Sequence, residues 1–147
     1  MVPMNIYRNP PTESAKTLLA AAGLPTADLE AEHFAHFIAS GPEHALEALI
    51  GLQPYDEVAL LRSLVVSPMT RGKGYGGALV AEIEAYAQQL DVRELYLLTN
   101  TAEAFFTRHG YSLFDRADVP EAIRQTAEFS NLCPASAACM HKRIGAR

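Results

Sequence analysis

The chain has 147 residues, 49% of them hydrophobic, with 12 Lys+Arg against 17 Asp+Glu and a formal net charge of −5. That length fits one domain of about 100–150 residues, and the acidic balance offers no electrostatic grip on a phosphate backbone, so nucleic-acid binding is not expected. No apolar run nears the roughly 18–20 residues of a membrane span, Pro3 and Arg8 stand where a signal-peptide core would lie, and two cysteines without metal-type spacing fit a reducing cytoplasm.

Residues 3–8 predict a short strand. Thr12 is placed to cap a helix with Glu13 in its first turn and Leu18, Leu19 and Ala22 on its apolar side; Gly23 ends it and Pro25 prevents its continuation. Asp28 is placed to cap a further short turn. A hairpin is expected from His33 to about Gly51, with arms over 34–39 and 45–52 and a turn over 40–43; the Ala, Glu and Leu of the second arm leave helix as its competitor. Residues 58–66 are almost continuously apolar, which suits a strand buried on both faces, ended by Pro68. From Gly74 to Leu90, the apolar residues Leu79, Ile83, Ala87 and Leu90 recur at helical spacing opposite Glu82, Gln88 and Gln89. A second buried strand is expected over 94–99, then a short helix over 102–108 closed by His109-Gly110. A strand from Tyr111, a helix from Asp118 or Pro120 to about Glu128, and a last strand over 137–143 complete the reading. The order gives a single α/β or α+β domain, 1–147, with a mixed sheet.

The densest signal runs from Pro68 to Gly77, between a buried strand and an amphipathic helix. Unpaired N–H groups at a helix start, with the positive end of its dipole, make a phosphate site; glycines let the backbone approach the anion, and Arg71 and Lys73 add charge. A P-loop fails because Ser67 lies five residues before Gly72 and Gly74 follows Lys73. Gly72, Gly74 and Gly77 formally match a Rossmann fingerprint, but residues 67–71 separate them from the strand and the next strand ends in Thr99 instead of an acid. The match is accidental.

Arg71-x-x-Gly74-x-Gly76 resembles the (Q/R)-x-x-G-x-(G/A) loop of the GNAT superfamily of N-acetyltransferases, and SLVVSPMTRGKGYGGALVAEIEAYA followed by LYLLTNTAEAFFTRHGY resembles the family around that loop. The resemblance covers residues 58–111. It implies a mostly antiparallel mixed sheet splayed at a central bulge, with flanking helices. It also implies acetyl-CoA as cofactor, its pantetheine arm along Leu64, Val65 and Val66 and its pyrophosphate on Arg71, Gly72, Lys73, Gly74, Tyr75, Gly76 and Gly77. Thr99, Phe105 and Phe106 follow as further cofactor contacts. PYDEVALLRSLVV and ADVPEAIRQTAEFSNLCPASAACMHK more narrowly resemble the arsenic-resistance-operon branch and the amino-acid N-acetyltransferases of the N-acetylglutamate synthase type. These imply an amino-acid-like acceptor or an arsenical or phosphinic analogue.

Acetyl transfer needs a neutral amine, a thioester held beside it and a proton for the leaving thiolate, and holding both reactants together supplies much of the rate. Backbone N–H groups near Leu64–Val66 can stabilise an oxyanion while also serving a sheet ladder that opens at a bulge. The family's usual tyrosine acid is replaced by Phe106, and Thr99 replaces an asparagine seven residues earlier, beside Asn100. Either Tyr111, another tyrosine or water then donates, or the thiolate leaves unassisted. Asp56, Glu57, Glu32 and His33 are base candidates, Glu57 preferred; the alternative for each is a solvated surface group. Arg62 interrupts an apolar strand and demands a partner, either a substrate carboxylate or an internal acid among Asp56, Glu57 and Glu128. Arg124 and Ser130 are further acceptor candidates; a surface helix position and loop capping explain Arg124, Ser130 and Ser136 as well. Cys133 and Cys139 lack zinc spacing, and His141 does not supply it; they are small core residues or thiols for an arsenical. No metal is expected.

The expected partner is a small-molecule amine, with no membrane and no nucleic acid; dimerisation is compatible with the fold, and no sequence feature establishes it. The competing reading is a non-catalytic acyl-CoA-binding or regulatory module, separated from an enzyme by turnover, with Phe106→Tyr as a probe.

Overall fold

The longest apolar run and the β-branched residues at its end produce a nine-residue strand whose bounds, Val58–Val66, coincide with the sequence expectation. The structure, a computed structural model, describes residues 5–132 and 136–145. Its elements are β1 (Ile6–Arg8), α1 (Thr12–Ala21), β2 (Phe37–Ser40), β3 (Ala48–Tyr55), β4 (Val58–Val66), α2 (Tyr75–Gln89), β5 (Glu94–Thr99), α3 (Glu103–Arg108), β6 (Ser112–Leu113), α4 (Glu121–Arg124) and β7 (Ala138–Arg143). Among the described residues the strand order is β1-β2-β3-β4-β5-β7-β6. The β4/β5 pair is parallel, whereas β1/β2, β2/β3, β5/β7 and β6/β7 are antiparallel. This is the mixed, mostly antiparallel α/β sheet that was expected. The described residues gather into two compact units, one holding the chain up to Leu52 with Ser63–Ile83, the other Gln53–Arg62 with everything from Glu84 onward.

In the first unit β2 and β3 form the expected hairpin, Phe37 opposite Gly51 and Ser40 opposite Ala48. A side chain at Gly51 would place its Cβ 2.3 Å from the Phe37 ring, so the close packing of that ring excludes any other residue. Ala15 and Leu19, one helical turn apart on α1, are fully buried with Phe34, Phe37 and Leu49. Gly23, at φ +74°, ends the helix as expected.

Several local expectations differ. Thr12 is the first helical residue and Pro11 the cap: the Pro11 carbonyl accepts the Ala15 N–H at 3.0 Å, and its side chain, which carries no acceptor, leaves the helix without a side-chain cap. Ala22 is exposed, beyond the helix end. The turn expected from Asp28 is a 3₁₀ turn over Ala31–His36 capped by Glu30, whose backbone N–H donates to His33 Nδ1 at 2.8 Å while its carboxylate caps in return. That turn occupies the first half of the anticipated strand arm, so β2 begins at Phe37. The second arm is strand, not helix, and begins at Ala48.

In the second unit the parallel ladder runs from Val58 to Leu60 against Glu94–Tyr96, and β5 pairs with β7 along its whole length. Further along β4, at the residue where the chain passes into the first unit, Ser63 adopts φ +63°, a left-handed conformation beyond the last β4/β5 pair at Leu60. Leu60, Tyr96, Ile123, Phe129 and Cys139 form the core beneath α4 and the π-helical turn Glu128–Leu132. The anticipated helix to Glu128 is one turn long, capped at Pro120. Leu90 lies past the end of α2 and is 36% exposed. No described helix is long and apolar enough to cross a membrane.

Candidate functional site

The end of β4 delivers the chain into the glycine loop of the first unit. Val65 is buried and Leu64 and Val66 are half-buried. Pro68 stops the ladder and opens a 3₁₀ turn, Pro68–Thr70. The Ser67 N–H donates to the Glu47 carbonyl at 2.8 Å, and the Thr70 hydroxyl lies 3.1 Å from both the Glu47 and the Ser67 carbonyls. Arg71 then folds back, its Nε donating to the Val66 carbonyl at 3.3 Å.

Gly72 and Gly74 both adopt φ +82°, and a Cβ built on either meets nothing within 4 Å. Backbone conformation, not lack of room, therefore requires glycine at both, and the space over each is open. The Gly74 carbonyl accepts the Ala78 N–H at 3.1 Å, the first bond of α2. The amides that open α2 have no intrahelical acceptor, and they carry the positive end of a 15-residue helix. Arg71 and Lys73 are exposed beside them. Two left-handed glycines flanking Lys73, helix-start amides without an intrahelical acceptor and two cations suit a multiply charged phosphate anion.

In the second unit Arg62 is 4% exposed and answers the question the sequence left open. Its Nη2 lies 3.2 Å from Glu128 Oε2, and Nη1 donates to Gln53 Oε1 at 2.7 Å; Gln53 Nε2 in turn donates to the Tyr55 hydroxyl at 3.2 Å. The internal acid is Glu128, not Asp56 or Glu57. Arg124, exposed in the last turn of α4, donates from Nε to the Val119 carbonyl at 2.9 Å. Ser130 is exposed and its hydroxyl returns to the Thr126 carbonyl at 2.8 Å, the capping role.

Tyr111 is buried, and its hydroxyl donates to Glu84 Oε2 at 2.8 Å. Lys142 Nζ holds the same carboxylate at 3.0 and 3.1 Å and donates to the His109 carbonyl at 2.9 Å. Burial first, and Glu84 second, push the phenol far above its usual pKa. Such a hydroxyl serves a packed polar network, and its proton is engaged by Glu84. Phe106 is 5% exposed and packs edge-on to Phe105 and Tyr111, at centroid distances of 5.1 and 5.4 Å. Thr99 Oγ1 accepts the Ala102 N–H at 3.0 Å and so fixes the entrance to α3.

Asp56 and Glu57 form the exposed turn that opens β4, whereas the glycine loop follows its end; Asp56 sits there at φ +59°. The Glu57 carbonyl accepts the Arg93 N–H at 2.7 Å. Glu32 is exposed, and His33 Nδ1 is occupied by Glu30. Cys139 is buried and its thiol pKa is raised by that burial, so it behaves as a core residue; Cys133 lies outside the described residues. Among the described residues no three His, Cys, Asp or Glu side chains gather closely enough for a metal ion. Sequence reasoning missed Glu84, Lys142, Gln53 and Thr70. A Glu in the apolar-spaced stretch of α2 and a Lys in β7 are signals only once the pairing of β7 is known.

The fold has relatives among known proteins. A family model described as the acetyltransferase (GNAT) domain matches residues 32–113, more than half of the chain. An amino-acid acetyltransferase of Ralstonia nicotianae is 32% identical over 72 residues, which are 49% of this chain and 16% of that protein. This chain therefore spans about a sixth of the length of the curated relatives it matches. Among solved structures, N-acetylglutamate synthase of Neisseria gonorrhoeae, complexed with coenzyme A and N-acetyl-glutamate, superposes with a TM-score of 0.83 at 17% identity, over 99% of this chain and 36% of that one. A GNAT-family acetyltransferase of Staphylococcus aureus gives 0.78 at 14% identity, over 97% of this chain and 100% of its own.

Proposed function

The chain belongs to the acetyltransferase (GNAT) domain family, and from that membership we propose that it transfers acetyl from acetyl-CoA to the primary amine of a small molecule, most simply an amino acid or an analogue of one. One observation carries the proposal: Gly72 and Gly74, both at φ +82° under open space, lead directly into the free amides of α2 with Arg71 and Lys73 alongside. The residues fit the group. Residues 71–77 would hold the pyrophosphate, and Leu64, Val65 and Val66, just past the left-handed Ser63, would run beside the pantetheine arm through backbone groups. Acetyl-CoA would supply an electrophilic thioester to the acceptor amine, with the CoA thiolate as leaving group, the amine giving up one proton to solvent or base and the thiolate gaining one.

The amino-acid acceptor rests on the S-x-L-C-P-x-S-A stretch at 130–137 and on relatives named as amino-acid acetyltransferases. Arg124 is the cation we propose for the acceptor carboxylate, since its guanidinium stands at an exposed helix end. Arg62 is proposed to shape that acceptor face through Glu128 and Gln53. With Tyr111 engaged by Glu84 and Phe106 unable to donate, the thiolate takes its proton from water. Phe106 also favours a second reading, an acyl-CoA-binding module without turnover. Calorimetry with acetyl-CoA tests the shared step. Binding to the wild type that Gly74→Val weakens supports the pyrophosphate assignment; equal affinity in both contradicts it.

A further inference from the structure

Buried polar side chains in the loop region come down to few, and Thr70 is the one the proposed chemistry does not use. It is 7% exposed, in a segment whose neighbours Pro68, Met69, Arg71 and Gly72 are all exposed, Met69 at 87%. Its hydroxyl lies 3.1 Å from the Glu47 carbonyl and 3.1 Å from that of Ser67, and its N–H donates to the Ser67 carbonyl at 2.9 Å. The Glu47 carbonyl also accepts the Ser67 N–H at 2.8 Å, so it can take the single Thr70 hydroxyl proton on its second lone pair, with the Ser67 carbonyl as the alternative acceptor at the same distance. Glu47 itself is held from behind. Its N–H donates to the Ser40 carbonyl at 2.8 Å, and Gly41, at φ +96°, lies so close that an added Cβ would stand 2.8 Å from the Glu47 nitrogen. The Tyr7 hydroxyl donates to the Gly41 carbonyl at 2.8 Å, joining β1 to the same turn.

We infer that Thr70 is a positioning residue for the donor's pyrophosphate: its hydroxyl ties the entrance of the glycine loop to the β2–β3 turn and so presents the loop amides before any ligand arrives. The inference rests on the reading of the loop as an acetyl-CoA site. A loop of glycines is the most costly kind of segment to order on binding, because glycine has the most backbone freedom to lose. Fixing Thr70 immediately before Arg71 removes part of that cost in advance, which is how preorganisation raises affinity. Thr70 touches no ligand in this role; it acts through the residues that follow it.

The test compares CoA with pantetheine, which carries the same arm without the pyrophosphate, on wild type, Thr70→Val and Thr70→Ser. Thr70→Val keeps the shape and removes the hydroxyl. It is expected to weaken CoA binding roughly fivefold, the equivalent of one net hydrogen bond, to leave pantetheine binding unchanged, and to be rescued by Thr70→Ser. Unchanged CoA affinity in a folded Thr70→Val overturns the inference, and so does an equal loss for both ligands, which would mark a general disturbance of the strand end. Should Thr70→Val not fold, Thr70→Ala takes its place with the same two ligands: a loss confined to CoA supports the tie, and an unchanged CoA affinity or an equal loss for both overturns it. A wild type that binds no CoA refutes the loop reading itself, and the inference with it.

Discussion

The Arg62 guanidinium lies 3.2 Å from Glu128 Oε2, with side chains 0% and 5% exposed. An arginine in an apolar strand is tolerated there because Glu128 and Gln53 meet its fork, and the charges are compensated as a unit. Arg62→Met leaves Glu128 buried without its cation and is expected to destabilise the fold by about 3–5 kcal/mol. Adding Glu128→Leu should return most of that loss. Chemical denaturation of the two variants checks this; a single variant as stable as wild type contradicts it.

Tyr111→Phe removes one hydrogen bond from the Glu84 carboxylate, which Lys142 still holds. The expected loss is about 1 kcal/mol of stability with kcat and its pH profile unchanged. A variant of native stability whose kcat falls by a factor of ten or more would make Tyr111 the proton donor after all.

Alkaline pH should loosen the second unit. Tyr96, whose hydroxyl donates to Glu94 at 3.2 Å, is pushed up to about 12, mainly by burial and then by Glu94, and Tyr111 is raised as well. In the unfolded chain both phenols lose their protons near pH 10, while the folded protein retains them. The unfolded state then binds fewer protons, so stability is fully present below pH 10 and falls as pH rises from 10 toward 12. Denaturation midpoints across that range should decline, and Tyr96→Phe should flatten the decline. An equal slope in that variant contradicts the assignment.

At the loop, Gly74→Ala meets no atom within 4 Å yet must hold φ +82°. The expected penalty is about 1–2 kcal/mol of backbone strain, shared between stability and CoA affinity. Arg71→Glu with Lys73→Glu leaves the fold intact, since both side chains are exposed, and weakens CoA binding by reversing the local charge. Thermal melts and calorimetry on the same samples separate the two effects.

The sequence made most legible what depends on unbroken local pattern. β4 and β5 have the bounds their apolar runs predict, and the loop from Pro68 to Gly77 is visible as glycines between a buried strand and a helix. Caps were less legible: Pro11 displaced Thr12 and Glu30 displaced Asp28, because several neighbouring residues can cap and the backbone entry angle chooses among them. The partners of buried polar groups were hardest to read. Arg62 announced its need for an acid, but Glu128 lies 66 positions away and only the fold of the second unit selects it. Glu84 with Lys142, and Thr70 with Glu47, carried no signal at all, since each pair joins elements distant in sequence.

The measurement that bears most directly on the whole account is thiol release from acetyl-CoA against a panel of small amines, with products read by mass spectrometry. The panel holds the common amino acids, glutamate and aspartate included, with phosphinic and arsenical analogues. The expected result is acceptor-dependent release with an N-acetylated amino-acid-like product, and a KM for that acceptor raised by Arg124→Met without change in CoA affinity. Tight acetyl-CoA binding with no acceptor-dependent release from any amine in the panel would contradict the enzyme and leave the binding module in its place.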